Sequence, residues 1–287
     1  MQSTKIKDII ELFRQELTSV YSEKETESIL FLVLHHVIGF SRTESVLRKE
    51  ELLEEITRKK LFTILGKLKR GMPVQYVLGH TEFYGLDFLV RPGVLIPRPE
   101  TEELCNWIIK ENKNRKAVML DIGTGSGCIA ITLKKHIEDC TVYACDISEK
   151  ALEIAGKNAT KNNAGIHFFK SDTLNSKEKK KLPQFDVIVS NPPYIRNSEK
   201  KLMKPNVLNY EPHEALFVSD KNPLLFYKAI AGFSLNHLCP GGYLYFEINE
   251  NLSSELVEVI DNMGFHDIQI KKDVNGKYRM LKCIPSR

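Results

Sequence analysis

The chain has 287 residues, 42% of them apolar, with a formal net charge of +4; that length can bury a full core and suits one large domain with a smaller partner. The charge is too weak to imply a nucleic-acid partner, and the longest apolar stretch, 29–38, is about half the ~20 residues a membrane crossing needs. Six scattered cysteines without a CxxC pair, and no histidine at zinc-ligand spacing, exclude a disulfide framework and a zinc module, so reduced thiols and no metal are expected.

The opening residues carry acids early and lack a basic leader or a small-residue cleavage site, which predicts a cytoplasmic protein. Ile6, Ile9, Ile10, Phe13, Leu17 and Val20 recur at three- and four-residue spacing, one face of an amphipathic helix. Ser22 with Glu25 and Ser41 with Glu44 match the capping box, in which each side chain satisfies a free backbone amide at a helix start. A third charged, Leu-rich stretch runs over 50–70 and stops at Gly71. Residues 1–72 therefore predict a small helical bundle. Over 73–102 glycine and proline punctuate short alternating apolar segments, which predicts a β-hairpin connector with its turn at Arg91-Pro92-Gly93. Arg98, Glu100 and Glu102 read as a solvated turn with a helix cap, or as residues that order this connector over a site.

From 103 to 287 strands and helices alternate. Strands are predicted over 117–122, 141–146, 166–169, 185–190 and 243–248, and helices over 128–137, 148–162, 223–238 and 252–263. Such alternation implies right-handed crossovers and a mostly parallel sheet covered on both faces, closed by a hairpin of 266–271 and 278–284 at one edge. The basic run 177–181 reads as a solvated loop.

Asp121-Ile122-Gly123-Thr124-Gly125-Ser126-Gly127 sits where the first of these strands turns into its helix. Ligands bind open α/β sheets at the carboxyl ends of strands, and glycines there let the backbone approach without a Cβ clash. A dinucleotide fingerprint needs a sixth-position glycine where Cys128 stands, and a phosphate loop needs a lysine that is absent. Asp146 ends the second strand, where a carboxylate can accept two ribose hydroxyls, and Asp172, followed by Thr173, lies past the third, within reach of an adenine amino edge. Asn191-Pro192-Pro193-Tyr194 ends the fourth. Asn and the Pro192 carbonyl offer two acceptors that suit an –NH2 group, proline fixes φ beforehand, and Tyr194 can lay its ring on a flat amide or base. Orienting a conjugated nitrogen toward an activated methyl is catalysis by positioning and electrostatics. His213 is a lone loop histidine with no such role.

GTGSG, Asp146 and NPPY together resemble amino-directed S-adenosylmethionine methyltransferases, whose substrates include DNA adenine, rRNA guanine and protein glutamine. GMPVQYVLG at 71–79, FYGLDF at 83–88, IPRPETEEL at 96–104 and YEPHEAL at 210–216 more narrowly resemble the release-factor glutamine methyltransferase family. That resemblance implies an α/β fold, a Rossmann-like class I methyltransferase sheet over 103–287 with the N-terminal bundle joined by the hairpin connector. It implies methylation of the Gln side-chain amide in the Gly-Gly-Gln loop of class 1 peptide chain release factors, by a monomer, without direct nucleic-acid or membrane contact. It assigns Gly123, Thr124, Gly125, Ser126, Gly127, Asp146, Asp172, Thr173 and Asn191 to S-adenosylmethionine, and Asn191, Pro192, Pro193 and Tyr194 to the glutamine, the first two and Tyr194 being catalytic. The bundle would supply docking surface. Met72, Thr173 and Asn249 depart from the family pattern: glutamine is usual at the first, an aromatic stands near the adenine in some relatives, and glycine is common at the third. A nucleic-acid amino methyltransferase would use the same pocket on a flipped base but would want a strongly basic groove; a non-catalytic binding module would show no turnover.

Overall fold

The computed structural model describes residues 4–113, 115–175 and 182–286, so the basic run at 177–181 lies outside the described residues. Two compact units emerge, one of Met1–Gly79 with Lys204–Tyr210 and one of His80–Met203 with Glu211–Arg287. The segment expected as a separate connector is shared, 73–79 belonging to the first unit and 80–102 to the second.

The first unit contains α1 (Ile6–Leu17), α2 (Glu23–Ile38), α3 (Arg42–Leu47), α4 (Glu55–Leu68) and α5 (Val74–Leu78). Both predicted helix starts are there: the Ser22 hydroxyl accepts the Glu25 amide, and Ser41 and Glu44 cap each other's backbone reciprocally. The apolar stripe of α1 packs with Leu30, Val33, Leu34, Leu61 and Leu68 in one core, but Val20 lies beyond the helix and is exposed. Helix α4 begins later than the expected 50 because the carbonyls of Lys49 and Glu51 are engaged elsewhere. They accept the amides of Lys7 and Ile6, which the first turn of α1 leaves without helical partners.

In the second unit β1 (His80–Phe83) and β2 (Leu86–Leu89) form a hairpin that turns at Tyr84-Gly85, in place of the one predicted to turn at Arg91-Pro92-Gly93. Both turn residues have positive φ, 51° and 71°, the two-residue geometry whose twist matches paired strands. Arg91-Pro92-Gly93 is a separate turn closed by the Val94 amide on the Arg91 carbonyl, after the pairing has ended. Helix α6 (Pro99–Asn112) follows, with proline in its first turn. Then come β3 (Val118–Ile122), α7 (Cys128–His136), β4 (Thr141–Asp146), α8 (Glu149–Lys161), β5 (Ile166–Lys170), β6 (Phe185–Ser190), β7 (Ile195–Arg196), α9 (Pro205–Tyr210, part of the first unit), β8 (Phe217–Val218), α10 (Leu225–His237), β9 (Leu238–Glu247), α11 (Ser253–Asn262), β10 (Phe265–Lys272) and β11 (Tyr278–Pro285).

Seven strands form one sheet in the order β10-β11-β9-β6-β3-β4-β5. The pairs from β9 to β5 are parallel, and β11 and β10 close the edge antiparallel, as the alternation predicted. Strand periodicity of two sends Met119, Val187 and Val189 to a core with α6 and α7, and Leu120 and Ile188 to a core with α10 and α11. Each such buried side chain contributes about 1.5–3 kcal/mol. Because β3 lies between β4 and β6, the chain leaves it in opposite directions on its two sides, and a crevice opens at the carboxyl ends.

Candidate active site

Gly123, Gly125 and Gly127 all have positive φ, 75°, 55° and 84°, so the loop after β3 needs glycine at each. The Gly123 and Thr124 amides donate to the Cys145 carbonyl at 2.9 and 3.0 Å, the Gly125 amide to Asp146 Oδ2 at 2.9 Å, and the Gly127 amide to the Thr124 carbonyl. These four donors are thus spent on tying the loop to the end of β4 and to itself. A Cβ at Gly127 would lie 3.0 Å from Ile131 Cδ1 and 3.1 Å from Ala155 Cβ, so this glycine serves the contact of α7 with α8. The Thr124 hydroxyl donates to Asp121 at 2.6 Å, and the Ser126 carbonyl accepts from Asn158 Nδ2 at 2.8 Å. Of the five predicted loop residues, Gly123 and Gly125 line the cavity.

That cavity, about 270 Å³, lies at the carboxyl ends of β3, β4 and β6. Asp146, Asp172 and Thr173 line it, as do Asn191, Pro192 and Pro193. Asp146 also accepts the Ser148 amide on Oδ1 at 2.9 Å, and burial raises its pKa. Glu214, Leu95 and Phe226 join the lining, and periodicity gave no signal for them. Glu214 arrives because β7 pairs with β8 and the Ile195 amide donates to the Leu216 carbonyl, drawing 212–216 toward the turn after β6. Among the described lining residues there are three acids and no Lys or Arg. With those four loop amides spent and its rim acidic, the cavity suits a ligand bearing positive charge and hydroxyls, and disfavours a diphosphate.

Strand β6 ends at Ser190, whose hydroxyl donates to the Ile122 carbonyl at 2.6 Å. Asn191 Nδ2 donates to Thr101 Oγ1 at 3.2 Å. Among the described residues, neither Asn191 Oδ1 nor the Pro192 carbonyl accepts a hydrogen bond from the chain. Tyr194 differs from expectation: its hydroxyl donates to Glu247 Oε1 at 2.9 Å and its ring packs into the core under α10 and α11, off the cavity lining. The buried carboxylate offers the phenol a better partner than an open cavity does. Asn249, one of the departures from the family pattern, donates from Nδ2 to the Tyr194 carbonyl at 3.0 Å and so braces this turn. Arg98 pairs with buried Glu211 at 2.5 Å, and Glu211 also accepts the Ile96 amide, ordering the segment beside Leu95. His213 is exposed, against the Phe217 ring.

Below the loop, burial pushes the Asp121 carboxyl up to about 7; its Oδ1 has no partner, while Oδ2 accepts from Thr124 and the Ala130 amide. The six cysteines form no disulfide, and all are buried but Cys239. No cluster that could hold a metal ion and no helix long and apolar enough to cross a membrane occurs among the described residues.

The sheet order, the glycine loop and the NPPY turn define a Rossmann-like methyltransferase, and residues 102–209 match the family described as methyltransferase small domain. Residues 8–79 match the PrmC N-terminal domain. A methyltransferase from Pyrococcus furiosus shares the fold, with a TM-score of 0.52 and 22% identity over 82% of this chain and 100% of that one. The release factor glutamine methyltransferase of Flavobacterium psychrophilum is 46% identical over 96% of this chain and 98% of its own, and that of Bacteroides thetaiotaomicron 42% over 93% and 96%. The chain belongs to the release factor glutamine methyltransferase family.

Proposed function

We propose that this protein, as a cytoplasmic monomer, transfers a methyl group from S-adenosylmethionine to the side-chain amide nitrogen (N5) of the glutamine in the Gly-Gly-Gln motif of class 1 peptide chain release factors. The observation that carries this reading is the pair of unengaged acceptors, Asn191 Oδ1 and the Pro192 carbonyl, on the rim of an acidic cavity. An amide –NH2 has two hydrogens to satisfy, and two fixed oxygens hold its plane. Held so, the nitrogen lone pair, which lies perpendicular to the amide plane and is conjugated with the carbonyl, is aimed at the incoming carbon, and the N–H bonds are stabilised as the nitrogen becomes more positive.

When bound, S-adenosylmethionine supplies an electrophilic methyl group on a sulfonium. The acidic lining favours that charge and the cofactor's ammonium group. Gly123 and Gly125 give the backbone close approach, Asp146 accepts ribose hydroxyls, and Asp172 with Thr173 bounds the adenine end. Thr124, Ser126 and Gly127 shape the loop without reaching the cavity. Tyr194 anchors the turn through its hydroxyl and carbonyl. No carboxylate base is required before the new bond forms; the methylated nitrogen then sheds one of its two N–H protons to solvent, which leaves the neutral N-methyl amide. The helical unit, with Leu47 and Ile56 almost fully exposed, offers apolar surface for release-factor docking.

The test is transfer from methyl-labelled S-adenosylmethionine to a release factor, to the same factor with its loop Gln changed, to duplex DNA and to ribosomal RNA. Label on the intact factor alone, mapped to that Gln by mass spectrometry, is expected. Label on either nucleic acid would replace this reading with an amino-directed nucleic-acid methyltransferase.

A further inference from the structure

Behind the NPPY turn lies a buried chain of hydrogen bonds. Glu247, at the end of β9, is 1% exposed, and Thr101, in the first turn of α6, is 2% exposed. The Thr101 hydroxyl donates to Glu247 Oε2 at 2.6 Å, Tyr194 donates to Oε1 at 2.9 Å, and Asn191 Nδ2 donates to Thr101 Oγ1 at 3.2 Å. None of these carboxylate contacts is a salt bridge; Arg279 instead pairs with Asp273.

We propose that Thr101 and Glu247 are positioning residues, a relay that fixes which way round the Asn191 amide faces the cavity. The inference rests on the function given above and names residues that act through Asn191. The two ends of an Asn amide have nearly the same shape, so packing alone does not choose between them. Proton directions do. Glu247 accepts a hydroxyl on each oxygen, Thr101 on Oε2 and Tyr194 on Oε1, so although burial raises its pKa the single Thr101 hydroxyl proton points to Glu247. What Thr101 then presents to Asn191 is a lone pair, against which only the –NH2 end is favourable. Oδ1 is left facing the cavity as an acceptor, the polarity that an –NH2 substrate needs. If the amide turned over, two oxygen lone pairs would meet at Thr101 and a donor would face the substrate's own donors. The other oxygen of the same buried carboxyl binds Tyr194 in the same sense, so one buried group orients both ends of the NPPY turn.

The test compares Thr101→Val, Thr101→Ser and Glu247→Gln with the parent protein. Valine keeps the shape of threonine and removes the hydroxyl; serine restores the hydroxyl without the methyl; glutamine keeps the shape of Glu247 but turns one acceptor into a donor. Expected are a fall in kcat of roughly ten- to a hundredfold for Thr101→Val, with the cofactor Kd by calorimetry changed less than about threefold, and recovery to within about threefold of the parent in Thr101→Ser. In protein carrying 15N-labelled asparagine, the Asn191 side-chain resonance, assigned by its loss in Asn191→Ala, should shift in Thr101→Val and return in Thr101→Ser. An unchanged kcat in a folded Thr101→Val, or a Thr101→Ser variant as impaired as Thr101→Val, overturns the proposal. Should circular dichroism show Thr101→Val unfolded, Glu247→Gln decides: an unaltered kcat and Asn191 resonance sink the relay. Parent protein that labels no release factor would refute the functional reading, while the resonance pattern would still judge the relay.

Discussion

Gly127→Ala and Gly125→Ala form a matched pair that separates packing from ligand approach within one loop. At Gly127 the added methyl meets Ile131 Cδ1 at 3.0 Å, Ala155 Cβ at 3.1 Å and the Ala155 Cα at 3.3 Å. The isoleucine tip can turn aside; Ala155 has no rotamer to change, so α8 must move. Overpacking of this kind costs about 1–3 kcal/mol, and a φ of 84° adds about 1–2 kcal/mol for an L-residue with a Cβ. Gly127→Ala should therefore lose about 2–5 kcal/mol, a large part of the net stability of an ordinary domain. At Gly125 nothing lies within 4 Å of the added methyl, and only the backbone term of about 1–2 kcal/mol applies. Because that methyl would sit at the cavity, Gly125→Ala should weaken S-adenosylmethionine binding by about tenfold, equivalent to ~1.4 kcal/mol. Urea titration at 25 °C with slopes compared between variants gives the stabilities, and calorimetry gives the affinity. Equal destabilisation by the two variants, or a Gly127→Ala protein as stable as its parent, would refute the packing argument.

Asn191→Ala removes one of two substrate acceptors and should lower kcat about 10²–10³-fold with the fold intact by circular dichroism; turnover within twofold of the parent would remove Asn191 from the mechanism. The raised pKa of Asp121, about 7, gives a pH signature. A carboxyl that holds its proton more tightly when folded makes stability fall as pH rises from about 4 through 7, and Asp121→Asn should flatten that slope in urea midpoints measured at pH 5 and pH 8. Asn158, fully buried, donates to the Leu89 and Ser126 carbonyls and accepts the Leu89 amide, so Asn158→Leu should cost about 2–4 kcal/mol by stranding these groups, read as a lowered thermal midpoint. Ellman's reagent on the native protein should titrate Cys239 and leave the other five thiols for the denatured state, since Cys239 alone is partly exposed.

Features that depend on neighbours along the chain were legible in the residues themselves. Short apolar runs located the strands at 141–146 and 185–190 to the residue, because a strand covered on both faces of a parallel sheet needs such a run and ends where polar and turn-forming residues begin. The Ser41–Glu44 cap, the glycine loop and the NPPY turn were equally readable, since cap chemistry, positive φ and proline geometry act within a few residues. Misreading the hairpin turn has a local cause as well: Pro-Gly is a strong turn signal, and it does make a turn, but Tyr84 in a positive-φ position carries no such mark.

Other properties came only from the order of strands in the sheet. Thr101 meets Asn191 across 90 residues and Glu247 across 146, and no spacing rule connects them. Sequence named five loop residues for one ligand, whereas close packing of α7 on α8 reserved Gly127 for the interior and left Gly123 and Gly125 at the cavity. It likewise offered Tyr194 to the substrate, and a buried carboxylate from β9 claimed its hydroxyl. Side-chain identity determined what each group can donate or accept; which groups meet, and therefore which acceptors remain open, was decided by the tertiary burial that makes an unpaired donor costly.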